Sequence, residues 1–103
     1  MIAPDNNNPE KGAFVVRVTI GEHLSRLQAK ENSKPPALRR HVPSITELSR
    51  VVSVSRTTLY NFDNGTTRKV SMDVMGEIIT ELHGMGFDTE IGDLFSIYPA
   101  DLA

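Results

Sequence analysis

A chain of 103 residues has room for one compact domain and not for two. Its 39% hydrophobic and 23% charged residues argue against wholesale disorder. No cysteine is present, which removes disulfides, thiolate nucleophiles and sulfur-bound zinc, and no apolar run approaches the roughly 20 residues of a bilayer span. The start, Met1 to Asn6, has neither the basic nor the apolar region of a secretion signal, so a cytoplasmic location is the expectation.

Residues 1–12 hold three consecutive asparagines, two prolines and little to bury, and read as a disordered leader. Ala13 to Thr19 is rich in β-branched residues and predicts a short strand. Such a strand cannot satisfy its own backbone, so it needs another element or a second copy of the chain. Ile20, Leu24 and Leu27 then form a helical stripe with Thr19 as its cap. Pro35–Pro36 bars that helix from passing the Lys30–Asn32 region. Ala37 to Val42 reads either as a basic loop or as one short helical turn. Arg39 and Arg40 within it are candidates for a phosphate clamp, with a solvated basic loop the favoured account.

Ser44 followed by Glu47 is a capping box, opening a helix over 44–53 with Ile45, Leu48, Val51 and Val52 inward. Ser55 caps a second helix over 55–64, which buries Leu59 and Phe62 and closes at Gly65. Ser71 caps a further helix whose Met75, Ile78, Ile79 and Leu82 give the strongest periodicity in the chain. A last short helix, roughly Thr89 to Ser96, would place Ile91, Leu94 and Phe95 on one side before Pro99 stops it. The expected organisation is therefore a leader (1–12), one domain (13–98) and a short tail (99–103).

Charge is segregated along this order. Residues 26–69 carry nine Lys or Arg against three acids, a net +6, whereas residues 70–103 carry seven acids and no Lys or Arg. A polyanion feels the local field, screened over about 8 Å, and not the chain total. Two short helices joined by a tight link, with Val54 as an apolar plug in the turn, are what a DNA-reading helix-turn-helix requires.

Ser44–Ile45–Thr46–Glu47–Leu48–Ser49, followed by Val54–Ser55–Arg56–Thr57–Thr58–Leu59–Tyr60–Asn61–Phe62–Asp63–Asn64–Gly65, resembles the Cro/Xre-type, lambda-repressor-like helix-turn-helix of phage repressors and bacterial regulators. The resemblance spans about residues 18–98. It implies an all-α, five-helix bundle, here with a possible short N-terminal strand. Carried over by position, it puts base reading on Arg56, Thr57 and Asn61, with Thr58 and Tyr60 beside them. Arg56 matches the O6/N7 edge of guanine, Asn61 the N6/N7 edge of adenine, and the Thr57 methyl a thymine methyl. Ser44 and Ser55 at helix N-termini, and Asn64, Arg68 and Lys69 after the second helix, are the expected phosphate contacts. Two features depart from the family pattern. Ile45 stands where a glutamine is usual, and the Lys30–Pro43 connection is long and contains Pro35–Pro36.

Other chemistry has little footing. His23, His41 and His83 stand apart in sequence and assign no metal, Gly84 and Gly86 follow a helix and suggest a cap, and no cofactor motif or nucleophile–base pair is present. The expected protein is a bacterial or phage-type transcriptional regulator, not an enzyme, that binds double-stranded DNA as a homodimer. Its dimer contact would come from the Ala13–Thr19 strand or from the C-terminal helix with Phe95, Ile97 and Tyr98. The alternatives are an antitoxin that also binds its own promoter, with a toxin as protein partner, and a protein-interaction adaptor on the same scaffold.

Overall fold

The computed structural model describes residues 13–67 and 69–100. The expected leader and most of the expected tail lie outside them. Strand β1 (Phe14–Val18) is followed by helix α1 (Ile20–Asn32) and a 3-10 turn at Pro36–Leu38. Helices α2 (Ile45–Ser49), α3 (Arg56–Asn64) and α4 (Met72–Gly84) come next, then a 3-10 turn at Ile91–Leu94 and strand β2 (Phe95–Pro99). The molecule is mostly helical with a small two-stranded sheet.

Local signals set most of these bounds. Ser44 accepts from the Glu47 N–H while Glu47 accepts from the Ser44 N–H, which closes the capping box of α2. The Ser55 and Ser71 hydroxyls accept from the Thr58 and Val74 N–H groups and cap α3 and α4. Gly65 ends α3 at φ 77°, a left-handed conformation that costs glycine little. Thr19 precedes α1 as expected, but its hydroxyl does not cap the helix; it bonds the Ser96 hydroxyl at 3.0 Å instead.

Two expectations are corrected. The segment read as a fifth helix is a single 3-10 turn that runs into β2, so four α-helices and a ribbon replace the all-α five-helix bundle. The reason is long-range: β1 needs a partner for its backbone, and Phe95 to Tyr98 supplies an aromatic and β-branched segment suited to pairing. The strands run antiparallel, Phe14 opposite Pro99, Val16 opposite Ile97 and Val18 opposite Phe95. Thr19 N–H donates to the Leu94 carbonyl at 2.8 Å and Ala100 N–H to the Ala13 carbonyl at 3.1 Å, so the domain continues past residue 98. The second correction concerns α2, which stops at Ser49 and not at Ser53. Residues 51–54 turn because the Ser53 N–H and hydroxyl donate to the Glu77 carboxylate on α4, at 3.0 and 2.7 Å.

The core draws on every helix. Ile20, Leu48, Leu59, Met75, Ile78, Leu82 and Leu94 are fully enclosed, with Leu24, Leu27, Ile45, Phe62, Val74 and Phe87 around them. Each such side chain contributes about 1.5–3 kcal/mol relative to exposure. No helix of the described residues is long and apolar enough to cross a membrane.

The Lys30–Pro43 connection is held by one buried acid. Glu31 is 2% exposed and receives the Lys34 ammonium at 2.8 Å, the Arg40 N–H at 2.7 Å and the Arg40 guanidinium at 3.1 Å. The Lys34 hydrogen bond, followed by those from Arg40, pushes its pKa down to about 2. Arg40 also donates to the Gly86 carbonyl and lies 4.5 Å from the Phe87 ring centroid, tying the connection to the end of α4. Arg39 donates to the Lys34 and Asn32 carbonyls at 2.9 and 3.0 Å. The pair read as a solvated basic loop or phosphate clamp is a set of internal fasteners.

Candidate nucleic-acid interface

Helices α2 and α3 form one unit around a shared apolar seam. Leu48 and Leu59 are fully enclosed between them, Ile45 and Phe62 are buried, and Val52 and Val54 pack half-buried in the connecting turn. Val54 occupies the plug position expected of it. The Thr46 and Tyr60 hydroxyls bridge the two helices on the outside, 3.4 Å apart.

With Leu59 and Phe62 inward, the opposite stripe of α3 is fixed by helical geometry. Thr57, Tyr60, Asn61 and Asn64 follow i, i+3, i+4 and i+7, and Arg56 sits at the N-terminal end beside them. Arg56 and Thr57 are exposed, Thr58 and Asn61 half-exposed, and Tyr60 is 42% exposed. Arg56, Thr57, Tyr60 and Asn61 thus stand on the solvent side of one nine-residue helix, whereas Thr58, four residues before buried Phe62, sits toward the core-facing side with its hydroxyl bonded by Ser55. Among the described residues no ion pair takes up Arg50, Arg56 or Lys69.

The expected phosphate contacts are placed less uniformly. Lys69 is exposed beyond the end of α3. Ser44 and Ser55 are exposed at the N-termini of α2 and α3, and their hydroxyl oxygens are engaged as caps. Ser55 Oγ also donates to Thr58 Oγ1 at 3.0 Å. At Ser44 the backbone N–H is already taken by Glu47, whose carboxyl also bonds His41 at 2.7 Å. The His41 bond, with the Ser44 N–H next, holds the Glu47 carboxyl below its usual range. Asn64 Oδ1 accepts from the Thr66 N–H and hydroxyl, leaving its amide N–H groups to donate. Arg68 lies outside the described residues.

Three anchors of α3 escaped the sequence reading. Asp63 Oδ1 accepts the Gly21 N–H at 2.8 Å, so a residue given no role of its own in the sequence tethers α3 to the first turn of α1. A Cβ at Gly21 would stand 2.9 Å from a carboxylate oxygen of Asp63, so a larger residue there would have to displace that side chain. Arg17 on β1 donates to the Asn64 carbonyl at 3.3 Å, a cation at the negative end of α3. Glu77, counted only as one acid of the C-terminal block, holds the turn through Ser53. Each joins residues at least 24 apart, which no local pattern reveals.

The histidines take structural partners. Buried His23 bonds Thr89 Oγ1, and His83 Nε2 bonds the Thr89 carbonyl, both at 2.9 Å. Burial lowers the His23 pKa, with Arg26 and Lys30 adding to the effect and Asp93 opposing it. Comparison of the chain with protein-family models, with curated proteins and with solved structures found no match.

Proposed function

We propose that this protein is a sequence-specific, double-stranded DNA-binding transcriptional regulator that lays α3 in the major groove. The observation that carries the reading is the outer stripe of α3. Arg56 and Thr57 stand exposed and Asn61 half-exposed on a helix whose inner side is committed to the core, with Arg56 free of any acid among the described residues. An α-helix with its side chains fits a major groove about 12 Å wide. Arg56 then pairs with guanine O6/N7, Asn61 with adenine N6/N7, and the Thr57 methyl meets thymine. Lys69, Arg50 and the Asn64 amide supply phosphate contacts that set the register and carry no sequence information, while the Ser55 hydroxyl, spent on Thr58, supplies none. The two sets of contacts differ in kind: phosphate pairing is salt-dependent, base pairing is sequence-dependent.

Selection of duplexes from a random library by the purified protein tests this. The expected result is a consensus with guanine and adenine at the Arg56 and Asn61 positions. Binding without a consensus overturns the reading residues, and no duplex binding, with a protein target captured instead, favours an adaptor on the same scaffold.

A further inference from the structure

The ribbon that replaced the fifth helix has two unlike faces. Residues directly opposite each other share a face, and alternate residues along a strand fall on opposite faces. Phe14, Val16 and Val18 therefore lie on one side with their partners Pro99, Ile97 and Phe95. All six are apolar and none is charged. The inner end of this face is closed by the core: Val18 is 5% exposed, and Phe95 packs half-buried against the cluster. Its outer end is open, with Phe14 63%, Val16 61% and Ile97 66% exposed. Beside the ribbon a groove of about 590 Å³ runs along Val15–Val18 and is walled by Phe62, Thr67 and Val70. An apolar sheet face continuous with the core, yet left in water, calls for a cover.

We infer that the cover is a second copy of this chain, the two ribbons stacking face to face about a two-fold axis. A two-fold contact must be complementary to itself, and a face without charge meets that condition with no like-charge penalty, even though residues 70–103 are strongly acidic. The chain's own residues 1–12 suit the role poorly. Asp5 to Lys11, next to the strand, offer only Pro9 as an apolar residue, and Met1–Ile2–Ala3 stand at the far end. Area sets the strength. Five-residue strands span roughly 17 Å, so the contact covers a few hundred Å² per protomer, well under the ~800 Å² of a stable complex. The free dimer is accordingly weak and forms only at high protein concentration. Two copies on adjacent half-sites reach an effective concentration of about 1 mM, which favours the contact. Only this last use rests on the proposed DNA reading; the contact itself forms without DNA.

Sedimentation of the full chain from about 1 µM to about 1 mM, without DNA, tests it. The wild type should shift from monomer to dimer, and high salt should leave the shift intact because no charges meet. Val16→Glu and Ile97→Glu, at positions already in water, should keep the monomer's circular dichroism and abolish the dimer. The cysteine-free chain allows a second route: Ile97→Cys should form a disulfide-linked dimer under mild oxidation, and Gln28→Cys on exposed α1 should not. A wild type that stays monomeric throughout, or a dimer indifferent to both glutamates, overturns the inference. These outcomes separate from failure of the DNA reading, because Arg56→Ala should lose base preference and still dimerise, while Ile97→Glu should do the reverse on a single half-site.

Discussion

The Lys30–Pro43 connection and the α3 region are both cationic in sequence, and the structure treats them in opposite ways. In the connection, Lys34 and Arg40 converge on buried Glu31, and Arg39 spends its guanidinium on two backbone carbonyls. On α3 and the loop beyond it, Arg56 and Lys69 meet no acid among the described residues. A net +6 over residues 26–69 therefore overstates the charge offered to a polyanion. What matters is which cations are already engaged, and that depends on one acid the sequence gives no reason to single out.

The largest effect should come from unfastening the connection. Glu31→Gln keeps the volume, removes the charge and leaves two cations facing a neutral amide. Thermal unfolding should show a greater loss of stability than any other substitution considered below. The effect is pH-dependent with a definite sign. The folded carboxyl titrates near 2 against an ordinary 4.5, so its stabilisation is present above pH 4.5 and is lost as pH falls toward 2. The acid-unfolding profile of the variant should be flatter in that window. His23, whose folded pKa is lowered by burial, likewise stabilises above its ordinary 6.5 and loses that contribution as pH falls, so it shapes the profile at higher pH.

Next in size is Arg56→Ala, which should cost roughly 1–3 kcal/mol on the selected duplex and relax the preference at one base pair, as read by competition binding. Asp63→Ala removes a bond from the start of α1 and should cost about 1 kcal/mol of stability in denaturant unfolding, with a further loss of DNA affinity because α3 is less firmly held. The sharpest version of the comparison has the smallest effect. Lys69→Ala should lower affinity for all duplexes alike and reduce the salt slope by about 1, whereas Arg39→Ala, one of the fasteners, should leave that slope unchanged. Equal slopes for the two variants would erase the distinction between the regions.

Legibility in the sequence followed the range of the interactions. The α3 bounds were readable because Ser55 and Gly65 act within one turn of the helix they delimit, and the Ser44–Glu47 box is equally local. The exposed stripe of α3 followed from Leu59 and Phe62 alone. By contrast, the shortening of α2 depends on Glu77, the seating of α3 on Asp63 and Arg17, and the fate of Phe95 to Pro99 on a strand some 80 residues earlier. Helical spacing of Ile91, Leu94 and Phe95 was a true pattern with another cause: Ile91 is 43% exposed, and Leu94 is buried at the end of a 3-10 turn. The need of β1 for a partner was visible; which segment would answer it was not.

The central claim is that the outer face of α3 discriminates between DNA sequences. The most direct measurement is the affinity of wild type and Arg56→Ala for the selected duplex and for a scrambled duplex at one fixed salt concentration. The wild type should prefer the selected duplex, and Arg56→Ala should lose about tenfold or more of that preference while keeping its affinity for the scrambled one within a few-fold. An unchanged ratio, or a wild type that treats both duplexes alike, would contradict the account.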